Sequence, residues 1–417
     1  MPSDVPSPAS GATSLLRQRP YMLFWCQRLF ASIGGQAQTI TIGWQVYAIA
    51  RLHGDVRHAA FALGMIGLAQ FLPVALLTLI AGETADRYDR KIVAAICMGV
   101  EICTAGALMT FVLMGMTVIW PIYIVAAVFG ASRAFLSPAT TALGPMLVPR
   151  ELLPRAIAWN SLAWQGSSVI GPLVGGLLVT ISPAASYGLS LVLYVGSTLA
   201  LLLIGGRTKP VVQAGSRWAL AKEGLAYVWQ NKIVFGAISL DLFAVLLGGA
   251  TALLPVYARD ILHVNASGFG ILRAGQALGA AAVAVWLAIR HLRRKAGLFM
   301  FAGVATFGLA TIVFAVSKSL ALSVGALAVL GGADMLSVYV RQTLVQITTP
   351  DVMRGRVAAV STLFIGASNE LGEFESGVVA RLMGPIAATI FGGVGSLIVT
   401  GAWAMLFPAL RKADSLE

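Results

Sequence analysis

The chain has 417 residues, of which 58% are hydrophobic and only 11% are charged, and its mean hydropathy is +0.84. Soluble globular proteins have about 45–50% apolar and about 25% charged residues, so a water-soluble fold is excluded. The formal net charge of +12 comes from short basic clusters between long apolar runs, which is typical of membrane loops and does not indicate binding to nucleic acid. Composition therefore predicts an all-α membrane protein with the lipid bilayer as its solvent.

Long apolar runs predict twelve transmembrane helices, because a helix needs about 20 apolar residues to cross a bilayer. The first six runs are 21–50, 59–82, 91–114, 118–137, 156–181 and 184–205. The other six are 232–257, 268–290, 296–316, 320–343, 357–380 and 385–408. We therefore divide the chain into an N-terminal tail (1–20), a first six-helix half (21–205), a polar linker (206–231), a second half (232–408) and a C-terminal tail (409–417).

The distribution of Lys and Arg predicts the orientation, because cytoplasmic loops carry an excess of both. With both termini in the cytoplasm, most of the 29 basic residues fall in cytoplasmic segments. Within the linker, the segment Arg217 to Gln230 places Trp218, Leu225 and Trp229 on one face of a helix. This pattern predicts an amphipathic helix on the inner membrane surface.

The two halves are related by an internal repeat. At an offset of 201 residues the segment 130–160 aligns with 331–361, and at an offset of 206 the second span aligns with the eighth. The matched positions include Gly64 with Gly270, Gln70 with Gln276, Gly130 with Gly331, Gly171 with Gly372, and Gly176 with Gly377. Two parallel six-helix repeats resemble the major facilitator fold, in which the substrate site lies between the halves near the bilayer midplane.

The segment after the second span reads Gly82-Glu-Thr-Ala-Asp86-Arg87-Tyr-Asp-Arg90-Lys91 and resembles the major facilitator motif G-x-L-a-D-r-x-G-r-[KR]. A carboxylate at a helix end can meet basic residues and a facing helix terminus, so we expect an ionic latch that opens and closes during transport. Thr84 and Asp89 depart from the motif. A solvated basic turn is the alternative interpretation.

The fifth span contains Gly171-Pro172-Leu-Val-Gly175-Gly176, which resembles the G-P-x-x-G-G core of a motif found in proton-linked exporters. Proline removes a backbone donor and glycine allows close approach, so we expect this helix to bend and pack tightly between the halves. A general small-residue packing face explains the motif equally well.

Further segments resemble the drug:proton antiporter branch that includes the enterobactin exporter and macrolide efflux pumps. The most specific is Asn369-Glu-Leu-Gly-Glu-Phe-Glu-Ser-Gly377, and the resemblance covers nearly the whole chain. It implies proton-coupled efflux of a small molecule across the bacterial inner membrane, and we expect a monomer. An importer of a nutrient or metal chelate and a non-transporting membrane sensor or scaffold are the alternatives.

Ionisable residues inside the spans are the candidates for the transport site, because each costs at least about 2.5–3.5 kcal/mol to place there. Arg28 and Asp241 lie at similar depths in spans one and seven, and Arg133 and Asp334 occupy matching repeat positions. In the major facilitator fold, spans one, four, seven and ten line the central cavity. We therefore predict that these four residues form a cluster there for substrate binding and proton coupling, with a static salt bridge as the alternative.

Glu370 and Glu373 lie three residues apart on one face of span eleven. Two carboxylates so close do not both ionise readily, so we expect the pair to carry a proton, unless it only bonds neighbouring helices. Glu101 has no assigned role. The chain lacks a Walker A motif and has only four His and three Cys, so we expect no enzyme activity, no cofactor and no metal.

Overall fold

The computed structural model describes residues 15–205, 217–290 and 295–412, which form a bundle of long helices and contain no strand. The remaining parts of the predicted tails and linker (1–14, 413–417 and 206–216) lie outside the described residues. We refer to the end of the bundle at which the first helix begins as the inner end, and to the opposite end as the outer end. That the inner end faces the cytoplasm remains a prediction from the basic residues.

The first half contains six long helices, numbered by the span that each one forms. They are α1 (Arg19–His53), α2 (Val56–Arg87), α3 (Arg90–Leu113), α4 (Trp120–Leu143), α5 (Leu153–Ile181) and α6 (Pro183–Leu202). Short polar side chains set several of the helix starts. Asp55, Asp89 and Ser182 each accept a hydrogen bond from a backbone N–H in the first turn of α2, α3 and α6.

The second half contains the other six helices. They are α7 (Lys232–Leu247), α8 (Ala266–Ile289), α9 (Ala296–Val316), α10 (Leu320–Thr348), α11 (Asp351–Met383) and α12 (Pro385–Leu406). The sequence predicted one helix over 232–257, but α7 ends at Leu247 and short helical turns continue to Ile261. The interruption lies at Gly248 and Gly249, where an added Cβ on Gly249 would overlap the carbonyl group of Gly372.

Ten of the twelve spans are long and apolar enough to cross a membrane by composition alone, and the exceptions are α1 and α11. These two helices have 35 and 33 residues, so at 1.5 Å per residue each is about 50 Å long and exceeds the hydrocarbon thickness of about 30 Å. Their polar side chains, rather than their length, lower their hydropathy. Such side chains must face other helices or water, not lipid.

The helices pack in the same pattern in both halves. In the first half, α1 packs on α5 and α6, α2 packs on α4, and α3 packs on α4 and α6. In the second half, α7 packs on α11 and α12, α8 packs on α10, and α9 packs on α10 and α12. Each contact thus has its counterpart six helices later, and the predicted major facilitator architecture of two pseudo-symmetric halves is confirmed.

The two halves meet along the pairs α2–α11 and α5–α8, and at both crossings a glycine faces a glycine. An added Cβ on Gly64 would lie 2.8 Å from the Cα of Gly377, and one on Gly176 would lie 2.9 Å from the Cα of Gly270. The sequence repeat relates exactly these positions, Gly64 to Gly270 and Gly176 to Gly377. The repeat therefore encodes two equivalent close crossings, both toward the outer ends of their helices.

A second set of repeat positions fixes the packing inside each half. An added Cβ on Gly130 of α4 would lie 2.5 Å from the backbone oxygen of Gln70 on α2. In the second half, an added Cβ on Gly331 of α10 would overlap the backbone oxygen of Gln276 on α8. Glycine is needed at both places because the backbones approach too closely for any side chain.

The linker helix (Arg217–Gln230) packs against the inner end of α11. Its Glu223 forms an ion pair with Arg356, a residue near the start of α11. Leu225 and Trp229 are exposed, as expected for a helix that lies on the membrane surface. Contacts of this helix with α11 and α7 attach it to the second half.

We expect Gly64→Ala to destabilise the protein, because the new methyl group would overlap Gly377 and overpacking costs about 1–3 kcal/mol. Gly99→Ala is the matched control, since an added Cβ there meets no atom of the described chain within 4 Å. Alanine itself favours a helix by about 1 kcal/mol over glycine. Thermal unfolding in detergent should therefore give a lower midpoint for G64A and an equal or higher one for G99A. Equal midpoints for the two variants would contradict the close crossing.

Candidate functional site

A cavity lies between the two halves and consists of two adjoining chambers. The smaller chamber has a volume of about 540 Å³ and lies next to the crossings, with Leu63 and Phe269 among its lining residues. The larger chamber, of about 1000 Å³, extends toward the inner end as far as Leu153 and Gln342. Cavities of a few hundred to a thousand Å³ accommodate drug-sized molecules.

Seven charged side chains from six helices line the smaller chamber. The bases are Arg28 of α1, Arg133 of α4 and Arg273 of α8, and the acids are Glu101 of α3, Asp334 of α10, and Glu370 and Glu373 of α11. Among the described residues, none of the seven forms a direct ion pair or hydrogen bond with a protein side chain. Opposite charges therefore share the chamber without neutralising one another by direct contact.

The predicted cluster of four residues is only partly assembled. Arg28, Arg133 and Asp334 line the smaller chamber, but Asp241 is not among the residues that line either chamber. Asp241 is 5% exposed and forms an ion pair with Arg341 of α10. The prediction that Asp241 joins the cavity cluster was wrong, because equal depth in two helices does not determine where their side chains point.

The ion pair of Asp241 and Arg341 is buried where α7 packs on α10. Arg341 is 1% exposed, so its guanidinium depends on the carboxylate of Asp241 for its compensating charge. Asp334 interacts electrostatically with both members of the pair. The ion pair therefore lies close to Asp334, which lines the cavity, but neither Asp241 nor Arg341 lines the cavity itself.

Glu370 and Glu373 both face the smaller chamber from α11. Glu373 lies at the crossing with α2, where an added Cβ on Gly67 would be 3.3 Å from its Oε2. Both carboxylates interact electrostatically with Arg133 and Arg273. This arrangement places two acids within the field of two fixed positive charges, one from each half.

Glu101 is 3% exposed, and its carboxylate interacts electrostatically with Arg133 across the α3–α4 contact. No role was predicted for this residue from the sequence alone. The structure places it on the wall of the smaller chamber. Glu375, by contrast, accepts a hydrogen bond from the hydroxyl of Ser376 at 3.4 Å.

Contacts between the halves close the cavity at its outer end. The hydroxyl of Tyr47 donates a hydrogen bond to the carboxylate of Asp260, and Arg51 pairs with the same carboxylate at 3.2 Å. We refer to these three residues as the outer lock. Nearby, the ring of Trp44 stacks on that of Phe269, with the centroids 6.1 Å apart.

The predicted latch segment is anchored within the first half. Arg90 donates a hydrogen bond to the carbonyl of Ala142 on α4 at 3.0 Å, and its guanidinium lies 4.0 Å from the carboxylate of Asp86. Asp89, which replaces a glycine of the motif, caps α3 by accepting a hydrogen bond from the backbone N–H of Lys91. The departure from the motif therefore provides a helix cap where the motif has a glycine.

The glycine–proline motif of α5 packs this helix against two neighbours. Added Cβ atoms on Gly171 and Gly175 would lie 2.5 Å and 2.9 Å from atoms of α1. On the other face, the carbonyl of Pro172 and the Cα of Gly176 lie against Gly270 of α8. The motif thus allows α5 to pack closely against α1 of its own half and against α8 of the other half.

Arg273 and Arg341 also lie inside spans, and the sequence alone predicted no role for either residue. Arg273 lies one helical turn before Gln276, the repeat partner of Gln70, and both glutamines line the smaller chamber. The repeat therefore indicated which face of α8 lines the chamber, and Arg273 lies on that face. The pairing of Arg341 follows from how α7 packs on α10, which the sequence does not reveal. No cluster that could hold a metal ion occurs in the described part of the chain.

Two groups of relatives with similar sequences are named as an efflux pump and as an exporter. The profile of the family described as transmembrane secretion effector matches residues 10–417. The multidrug efflux pump Tap of Mycobacterium tuberculosis (strain H37Rv) is 27% identical over 422 residues, which cover 95% of each chain. The enterobactin exporter EntS of Citrobacter koseri is 28% identical over 363 residues, which cover 85% of each chain.

Solved structures of similar fold are transporters. The POT family transporter PepTSo has a TM-score of 0.74 at 12% identity, covering 95% of this chain and 99% of that one. A bacterial homologue of the iron transporter ferroportin, in its inward-facing state, has a TM-score of 0.69 at 17% identity, covering 94% and 99%. At these identities the likeness concerns the fold alone. The chain belongs to the transmembrane secretion effector family of major facilitator transporters, a family of multi-pass membrane proteins and not of enzymes.

Proposed function

We propose that the protein exports a small organic molecule across the bacterial inner membrane in exchange for protons. The observation that carries the proposal is the chamber between the halves, where four carboxylates and three guanidiniums lie without direct ion pairs among the described residues. Carboxylates in a poorly solvated site take up and release protons, whereas arginine keeps its charge. The names of the Tap and EntS relatives support the outward direction.

In this proposal the two ends of the cavity open alternately. The outer lock and the glycine crossings close the outer end here, and the larger chamber extends toward the inner end, which supports an inward-open state. In the opposite state the contacts at the outer end separate. The latch residues Gly82, Asp86, Arg87 and Arg90 then hold the inner ends of the halves together.

The proposed proton carriers are Glu370, Glu373 and Asp334, because their carboxylates face the chamber. Asp241 takes part indirectly: protonation of Asp334 changes the field at Arg341 and therefore the strength of the buried pair between α7 and α10. A proton bound from the cavity would in this way alter the packing of one half.

The double variant E370Q/E373Q should transport without responding to an imposed pH gradient, because glutamine keeps the size of the side chain but carries no exchangeable proton. Efflux of a fluorescent drug from cells stripped of their own pumps measures this response. Glu375→Gln is the matched control, since Glu375 lies on the same helix and does not line the chamber. A double variant that still responds to the pH gradient would remove the two glutamates from the coupling mechanism.

Asp241→Asn should lower the thermal midpoint strongly, because it leaves Arg341 buried without its counter-charge at a cost of about 3–5 kcal/mol. Adding Arg341→Gln should restore the midpoint. We expect this folded double variant to transport without responding to a pH gradient. Wild-type coupling in the double variant would show that the pair is structural only.

Asp260→Asn should weaken the outer lock, because the neutral amide loses the ion pair with Arg51. Spin labels at the exposed residues His53 and Asn265, with the native cysteines replaced, report the distance between the outer ends of the halves. The distance distribution of D260N should shift to longer values, while that of Lys318→Gln, a neutralised exposed residue of the outer surface, should not. Identical distributions for D260N and the wild type would exclude a gating role.

A further inference from the structure

Arg28 differs from the other arginines inside the spans because it neither forms a direct ion pair nor interacts electrostatically with a carboxylate of the described chain. Arg341 forms a buried ion pair, and Arg133 and Arg273 interact electrostatically with the two glutamates of α11. The group that interacts electrostatically with Arg28 is the hydroxyl of Tyr21, which supplies no compensating charge at neutral pH. Asp241, which was predicted in the same cluster as Arg28, pairs with Arg341 instead.

The surroundings of Arg28 form a polar pocket with aromatic sides. Arg28 lines both chambers and is half-buried. Its guanidinium carbon lies 6.0 Å from the centroid of the Phe24 ring, which supports one face of the cation. Ser32, one turn further along the same face of α1, has a buried hydroxyl without a hydrogen-bond partner in the described chain. Trp164 of α5 also lines both chambers and exposes half of its surface.

The guanidinium of Arg28 has no direct anionic partner in the described protein, although carboxylates line the same chamber, so an anion bound from the cavity would supply the missing contact. Arginine keeps its charge when it is partly buried, whereas a lysine can lose a proton and a carboxylate can gain one to become neutral. Carboxylates and sulfonates match its planar fork with two parallel hydrogen bonds. An unused hydroxyl one turn away adds a further donor for the same group.

We propose that Arg28 is the anion-recognition site of the cavity, and that the transported molecules include aromatic compounds with an acidic group. The carboxylate or sulfonate of the substrate binds the guanidinium of Arg28 and accepts a hydrogen bond from Ser32. The aromatic body of the substrate packs against Trp164. This inference rests on the proposed export function and specifies its substrate class.

Fluorescein and rhodamine 123 test the inference, because the two dyes share a three-ring scaffold and differ in charge. The full chain is placed in nanodiscs of phosphatidylcholine, a lipid without net charge, so that no anionic headgroup competes for Arg28. Fluorescence anisotropy measures the affinity for each dye. We expect wild-type protein to bind fluorescein, and Arg28→Gln to weaken that binding by about tenfold or more, the effect of losing a charged hydrogen bond.

Three further measurements separate loss of the anion site from loss of the fold. R28Q should still bind rhodamine 123. Arg28→Lys should recover part of the fluorescein affinity, because lysine keeps the positive charge but lacks the planar pair of N–H donors of arginine. Arg155→Gln removes an exposed basic residue at the inner end that does not line either chamber, and it should bind fluorescein as the wild type does.

The outcomes distinguish this inference from the proposed function. Unchanged fluorescein affinity in R28Q, or an equal loss of both dyes, would overturn the anion site and leave export untouched. Wild-type protein that binds rhodamine 123 but not fluorescein would also overturn the anion site and leave the export proposal untouched. Binding of neither dye by the wild type would count against the cavity as a substrate site, and thus against the proposed function itself.

Discussion

The constraint on which this structure depends is the cost of a charge inside the bilayer. Most spans avoid this cost because they are apolar. The helices α1 and α11 carry many of the polar side chains, and they face the space between the halves. Apart from Glu375, the buried charged residues discussed above are accommodated in two ways. Asp241 and Arg341 neutralise each other in the packed interior of one half, and seven other residues share a cavity that extends toward the inner end. Only the second arrangement leaves charges available to protons and substrate.

Close backbone contact is what brings the two halves around that cavity. Gly64 with Gly377 and Gly176 with Gly270 form two equivalent crossings, and Glu373 lies one turn from the first of them. The acids proposed to carry protons are therefore built into an interface that must move for the outer end to open. Helix surfaces without interlocking side chains allow such movement with little repacking. In the proposed mechanism, this proximity would link protonation of Glu373 directly to the contact between the halves.

The sequence predicted the fold well because its signals are periodic and local. Hydropathy located the spans, and the repeat identified the crossing glycines and the Gln70 and Gln276 positions before any contact was known. The partners of the buried charges were not predictable, because partner choice depends on the rotation of each helix about its own axis. Similar depth placed Arg28 and Asp241 in one predicted cluster, whereas in the structure Asp241 pairs with Arg341 and Arg28 faces the cavity. The break in α7 at Gly248 was missed because the flanking residues are uniformly apolar.

The central claim is that outward transport is driven by protons, and inverted membrane vesicles test it most directly. In such vesicles the lumen corresponds to the outside of the cell, so an acid lumen should drive accumulation of rhodamine 123 or fluorescein. Vesicles of the same strain without the protein provide the baseline. The account predicts accumulation above that baseline that collapses when nigericin dissipates the pH gradient. Accumulation that is indifferent to the gradient, or dye movement only out of the lumen, would contradict it.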